Sequence, residues 1–144
     1  MLMRQNTGLV VVDVQGRLAR LVDKSETLIS NCRKLIKGAQ VLGLPIIHLE
    51  QNPDKLGATV SKLNDVLSDV EPITKFTFNA CDEPKFVEIV QATNVETWLV
   101  CGIEAHICVY QTAMGLLELG YKMPEVSDCI RSRTAQNKIW LFAD

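Results

Sequence analysis

Apolar and polar positions along this chain follow two rhythms. Leu9-Val-Val-Val12 is an unbroken apolar run, mostly β-branched, closing on Asp13, as expected for a strand covered on both faces. Over residues 26–42 the spacing becomes helical, with Leu28, Cys32, Leu35, Ile36, Ala39 and Leu42 on one face and Gly43 as a stop signal. Residues 45–49, Pro-Ile-Ile-His-Leu, read as a second strand. Strand, helix and strand in succession predict a βαβ unit.

Residues 50–82 are less regular: 51–57 are turn-rich, and 60–67 form a short helix or none. Residues 83–93 carry Phe86, Ile89 and Val90 at helical spacing, with Pro84 admitted near the first turn. A short apolar strand over 98–101 ends at Gly102. A helical pattern then runs from about Cys108 to Gly120, with Val109, Ala113, Leu116 and Leu117 as its sheet-facing stripe. Residues 121–126 predict a further strand, which Pro124 interrupts or confines to an edge, and 134–144 leave room for one short helix. The sum is α/β: a three-layer α/β/α sandwich with a mostly parallel, Rossmann-like sheet, formed by residues 1–144 as a single domain. Ligands bind such folds beyond the carboxyl ends of the strands, which puts Asp13 and Cys108 at one rim.

Composition narrows the function classes. Of 144 residues, 47% are apolar and 22% charged, enough to build a core without staples. A net charge of −2 gives no electrostatic reason to expect nucleic acid or an anionic membrane as partner. The basic pairs Arg33-Lys34 and Arg131/Arg133 read as solvated faces. Five cysteines without CxxC spacing suggest neither a zinc ribbon nor a disulfide framework, and free thiols fit a reducing, cytoplasmic setting. The first residues lack a signal-peptide core, and no run approaches the roughly 20 apolar residues that span a bilayer.

The candidate chemistry centres on Cys108. A thiol in the first turn of a helix meets unpaired backbone N–H groups and the positive end of the dipole, which predicts a thiolate nucleophile. Taken singly, Cys108 could equally be a small buried hydrophobe, Asp13 a loop cap and Lys75 a surface lysine.

Several ordered segments resemble the isochorismatase-like cysteine hydrolases, which include nicotinamidases. They are Leu9-Val-Val-Val-Asp-Val-Gln15, Ile73-Thr-Lys-Phe-Thr-Phe-Asn79 and Cys101-Gly-Ile-Glu-Ala-His-Ile-Cys-Val109. Thr112-Ala113, Gly120-Tyr121, Ser127-Asp128 and Ser132-Arg133-Thr134 follow them. Glu50-Gln51, Pro53 and Leu56-Gly57 look closest to the uncharacterised isochorismatase-domain hydrolases, and the resemblance runs over about residues 8–138. It implies a catalytic triad of Asp13, Lys75 and Cys108 that cleaves a small amide-type C–N bond through a thioester. It also implies an oxyanion site of backbone N–H groups, from Glu104 and Cys108, around a cis Ile103–Glu104 bond.

Gln15, Gln51 and His106 are then candidate pocket groups, and Phe76 and Phe78 are site walls or core. Cys32, Cys81, Cys101 and Cys129 read as structural thiols. Nicotinamidases of this family bind a divalent ion through an Asp and two His. Here His48 and His106 are the only histidines and have no close ligand spacing, so no metal and no cofactor are expected. The expected partner is a small-molecule substrate. The chain ends soon after Thr134, where family members continue. A shortened C-terminal part would leave a sheet edge and an apolar face open, which favours a homo-oligomer. The alternative to a hydrolase is a catalytically weak or inactive family member serving as a binding scaffold or a redox-responsive thiol protein.

Overall fold

The computed structural model describes residues 4–22 and 24–124 and, within these, not the side chains of Arg17, Ala105 and His106. Four strands, β1 (Thr7–Val12), β2 (Ile46–Gln51), β3 (Ile73–Lys75) and β4 (Thr97–Gly102), form one sheet in the order β3-β2-β1-β4. All three pairings are parallel, with Val10 opposite Ile47 on one side and Val100 on the other. Every residue of β1 and β4 is buried, which is why both read as continuous apolar runs.

Helices cover both faces. Against Leu9, Val11, Leu99 and Cys101 pack Leu28, Cys32, Ile36 and Ala39 of α2 (Ser25–Val41), after the short α1 (Gly16–Leu21). Beyond β2 come α3 (Pro53–Leu56) and α4 (Ser61–Asn64), whose Leu63 joins the same layer. On the opposite face Val10, Val12, Leu49 and Val100 meet Phe86 and Val90 of α5 (Pro84–Ala92) and Leu116 of α6 (Tyr110–Glu118). This is the three-layer α/β/α sandwich with a parallel sheet that the chain's pattern predicts.

Some details differ from the sequence expectation. Leu42 is 46% exposed because it caps α2 beyond its last full turn, and Leu117 is 47% exposed. The inward stripe of α6 passes instead through Thr112, whose hydroxyl accepts from the Ala80 N–H at 3.0 Å. A hydroxyl with a partner can be buried where a helical wheel of apolar residues alone would not place it. Within residues 121–124 the structure shows only a parallel bridge, Lys122 with Thr97, ahead of Pro124. Glu125, Val126, Cys129 and the helix expected over 134–144 lie outside the described residues.

The crossover from β1 to β2 runs along the face covered by α2, whereas α5 carries the chain from β3 to β4 along the other. The winding therefore reverses between β1 and β4, and a crevice opens beyond their carboxyl ends. Gly102, with φ 131°, allows the close approach there: a Cβ at this position would run into the Val12 carbonyl.

Candidate active site

Asp13 follows β1 directly and has a left-handed backbone (φ 52°), a region that Asp enters more readily than most side-chain-bearing residues. Its carboxylate is fully buried. Lys75, the last residue of β3 and also fully buried, reaches past the end of β2 to place Nζ 2.8 Å from Asp13 Oδ2. Nζ also donates to Gln51 Oε1 at 2.7 Å and to the Thr77 carbonyl at 2.9 Å, so its three N–H donors are all directed.

Cys108 comes from the far side of the crevice. It sits in a π-turn, Ala105–Val109, in which the Val109 N–H bonds the Glu104 carbonyl at 3.1 Å. Wide turns of this kind recur at functional sites. Immediately before it, the Ile103–Glu104 peptide bond is cis, with Ile103 and Glu104 both buried. The thiol, 7% exposed, is the most accessible of the three groups. It interacts with both the Asp13 carboxylate and the Lys75 ammonium. Asp13 Oδ1 has no hydrogen-bond partner of conventional geometry, which leaves that oxygen available to a proton.

The protonation state overturns one expectation. Burial first, and the Asp13 charge second, push the Cys108 thiol up to about 12, and Lys75 offsets only part of this. Placement near a helix start therefore does not make a standing thiolate here, because burial and the Asp13 charge together outweigh the Lys75 ammonium. Asp13 is likewise raised above the usual carboxylate range, chiefly by burial and against the opposing pull of Lys75. A carboxylate raised in this way is a stronger base than one in water.

Gln15 is fully buried, and its amide is committed to backbone: Nε2 donates to the Gln51 and Gly57 carbonyls at 3.0 and 2.7 Å, and Oε1 accepts from the Gln51 N–H at 2.6 Å. It braces the site from behind rather than lining its rim. Gln51 contributes its side-chain oxygen to Lys75. His106 has its backbone in the π-turn, and its side chain lies outside the described residues. Phe76 and Phe78 are 71% and 55% exposed, so neither is core; they stand on the loop whose carbonyls face Lys75. His48 is packed and bonded to Thr59, with Nε2 2.7 Å from Thr59 Oγ1. Among the described residues no group of three or more His, Cys, Asp or Glu side chains is placed to hold a metal ion. Sequence reasoning missed Thr59 and its hydrogen bonds to Glu50. The available signal was a polar pair, His48 and Glu50, set alternately in an otherwise apolar strand.

A doubly wound α/β domain with an acid, an ammonium and a thiol gathered at its switch point defines the class. Residues 7–143 match the isochorismatase domain, and the chain belongs to the isochorismatase family, a family of hydrolases. It is 32% identical over 146 residues to the secreted isochorismatase effector Isc1 of Phytophthora sojae (strain P6497), covering 95% of this chain and 67% of that one. With the isochorismatase domain-containing protein 2 of Danio rerio it shares 28% over 135 residues, covering 94% and 68%. The chain thus spans about two thirds of the length of these curated relatives. Among solved structures, one described as the MAR1 ribonuclease of Caenorhabditis elegans superposes with a TM-score of 0.89 at 34% identity, over 99% of this chain and 73% of that one. YcaC of Pseudomonas aeruginosa shares the fold, with a TM-score of 0.92 at 24% identity over 99% and 72%.

Proposed function

We propose that this chain is a cysteine hydrolase of small amide-type C–N bonds, with Cys108 as nucleophile, Asp13 as proton shuttle and Lys75 as charge stabiliser. The observation that carries this reading is the unpartnered Oδ1 of Asp13, whose other oxygen is held by Lys75, on a carboxylate that also interacts with the Cys108 thiol. Because the thiol rests protonated, ionisation accompanies attack. The S–H proton passes to Asp13 as sulfur bonds the substrate carbonyl carbon, and the carbonyl oxygen takes up the negative charge. Backbone N–H groups of Glu104 and Cys108, beside the cis Ile103–Glu104 bond, serve that oxyanion. Asp13 then returns the proton to the leaving nitrogen as the C–N bond breaks. Water, deprotonated by Asp13, next cleaves the thioester to the free acid and restores the thiol.

The substrate is a small molecule, and the chain acts as a homo-oligomer in a reducing, cytoplasmic setting. Four free cysteines among the described residues and the exposed apolar side chains Phe76, Phe78 and Met114 support these two points. No helix among the described residues is long and apolar enough to cross a membrane. A redox-responsive role draws less support, since a protonated thiol reacts slowly with oxidants.

The test is intact-mass analysis after incubation with a mixed library of small amides, with short RNA as a separate arm. An acyl adduct on Cys108, absent in Cys108→Ala, is expected. A folded protein with neither adduct nor turnover would establish the binding scaffold instead, and RNA cleavage that survives Cys108→Ala would replace the amide reading.

A further inference from the structure

Behind the catalytic cluster lies a second buried polar group that the reaction scheme does not use. On the face of β2 that packs against α2 and α4, strict alternation presents Ile46, His48 and Glu50, two of them polar within an apolar layer. His48 is 1% exposed and Glu50 7%. A carboxylate in such a place is costly unless its oxygens are matched. Here a single acceptor atom, Glu50 Oε2, takes both the Thr59 N–H at 2.8 Å and the Thr59 hydroxyl at 2.7 Å. Thr59 has given its only hydroxyl proton to Glu50, so His48 donates from Nε2 to Thr59 Oγ1 at 2.7 Å.

Thr59 is no isolated anchor. It forms an antiparallel bridge with Gln15, flanked by Gly16 N–H to the Ala58 carbonyl at 3.1 Å and Val60 N–H to the Val14 carbonyl at 3.0 Å. These bonds lash residues 58–60 to residues 14–16, the segment that follows Asp13. Gln15, in that segment, clamps the backbone of Gln51, and Gln51 holds Lys75. Hydrogen bonds and the backbone bridge between Thr59 and Gln15 therefore link Glu50 to Gln51, Lys75 and so to Asp13.

We propose that Glu50 is a positioning residue of this site: locked to Thr59 and backed by His48, it fixes the Asp13 loop and keeps a negative charge behind the Asp13 carboxylate. The proposal rests on the reading of Asp13, Lys75 and Cys108 as the reacting groups. The groups acting on Asp13 are Lys75 from β3, Cys108 from the π-turn and Glu50 from β2, while His48 faces Glu50. Of these, Lys75 favours the Asp13 anion and Glu50 opposes it. Glu50 thus keeps Asp13 readier to accept a proton, at the same time as its hydrogen bonds keep the loop still.

The experiment pairs a 13C carboxyl NMR titration of Asp13 with amide hydrogen exchange at Gly16, Thr59 and Val60, in wild type, Glu50→Gln and Thr59→Val. Glu50→Gln can still accept from Thr59 but carries no charge. It should preserve exchange protection while the Asp13 midpoint falls, because the Glu50 charge that raises it is gone. Thr59→Val keeps the charge and loses the hydroxyl; exchange at Gly16 and Val60 should quicken by about tenfold. An unmoved Asp13 midpoint in Glu50→Gln, or unchanged exchange in Thr59→Val, would overturn the proposal. Turnover measured in Asp13→Asn tests the underlying reading separately. Full activity there would sink the catalytic assignment of Asp13 whatever the titration shows.

Discussion

Lys75 Nζ and Asp13 Oδ2 lie 2.8 Å apart with neither side chain exposed. Opposite charges removed from water stabilise the fold only as a pair, since either one alone is a bare buried ion. Lys75→Met by itself is expected to destabilise by about 3–5 kcal/mol. Adding Asp13→Leu to it should recover most of that loss. Urea melts of both single variants and the double variant close the cycle, and simply additive losses would show that the two groups are not coupled in the folded protein.

Asp13 opposes thiol ionisation at rest and in the proposed mechanism supplies the base during turnover, so its removal should separate two readouts. In Asp13→Asn the charge that helps push Cys108 up to about 12 is gone, while Lys75 remains. Iodoacetamide should therefore label Cys108 faster than in wild type between about pH 7 and 10, even as amide turnover disappears. Peptide mass mapping of the labelling rate checks this; slower labelling in the variant would reverse the assigned electrostatic role.

Burial holds His48 below its ordinary value of 6.5. As pH falls the unfolded chain takes up this proton first. The stability that neutral His48 contributes is therefore complete above about 6.5 and lost as pH drops toward the folded value. His48→Gln should flatten that acid limb. Denaturant midpoints measured from about pH 7 to 5 give the comparison, and identical slopes in both proteins would contradict it.

Gln15→Leu strands three backbone groups, the Gln51 N–H and the carbonyls of Gln51 and Gly57. Each unmatched buried group costs about 1–3 kcal/mol, so even partial rescue by water leaves a clear loss of thermal stability. Calorimetry is the check. A Tm within a degree or so of wild type would mean that the loop finds other partners.

Two glycines should respond in opposite directions to alanine. Gly102→Ala drives a Cβ against the Val12 carbonyl at a positive φ and is expected to abolish folding. Gly38→Ala, inside α2 with nothing within 4 Å of the new methyl, should stabilise by about 0.5–1 kcal/mol. Soluble yield and melting temperature distinguish the two, and a well-folded Gly102→Ala would refute the close approach of β1 and β4.

Long apolar periods made most of the architecture legible: β1, α2, β2, α5 and β4 all lie within a residue or two of where spacing puts them. β3 was hidden because Ile73-Thr-Lys75 is too short for any period to register, and its strand character comes from pairing with β2. The Asp13, Lys75 and Cys108 positions could be named from ordered motifs. The ionisation state could not, since burial is a property of the packed whole and reversed what helix position alone implies. Gln15 looked like a rim residue because a polar side chain in a loop is usually solvated; only tertiary contacts show its amide turned inward. Phe76 and Phe78 misled in the opposite sense, as aromatic residues that remain outside.

A sulfur that keeps its hydrogen until a fitting guest arrives is quiet toward stray electrophiles and peroxide. In the proposed mechanism discrimination then falls on admission: a guest that enters the crevice and offers an electron-poor carbon within reach sets the transfer in motion, and everything else meets an inert SH.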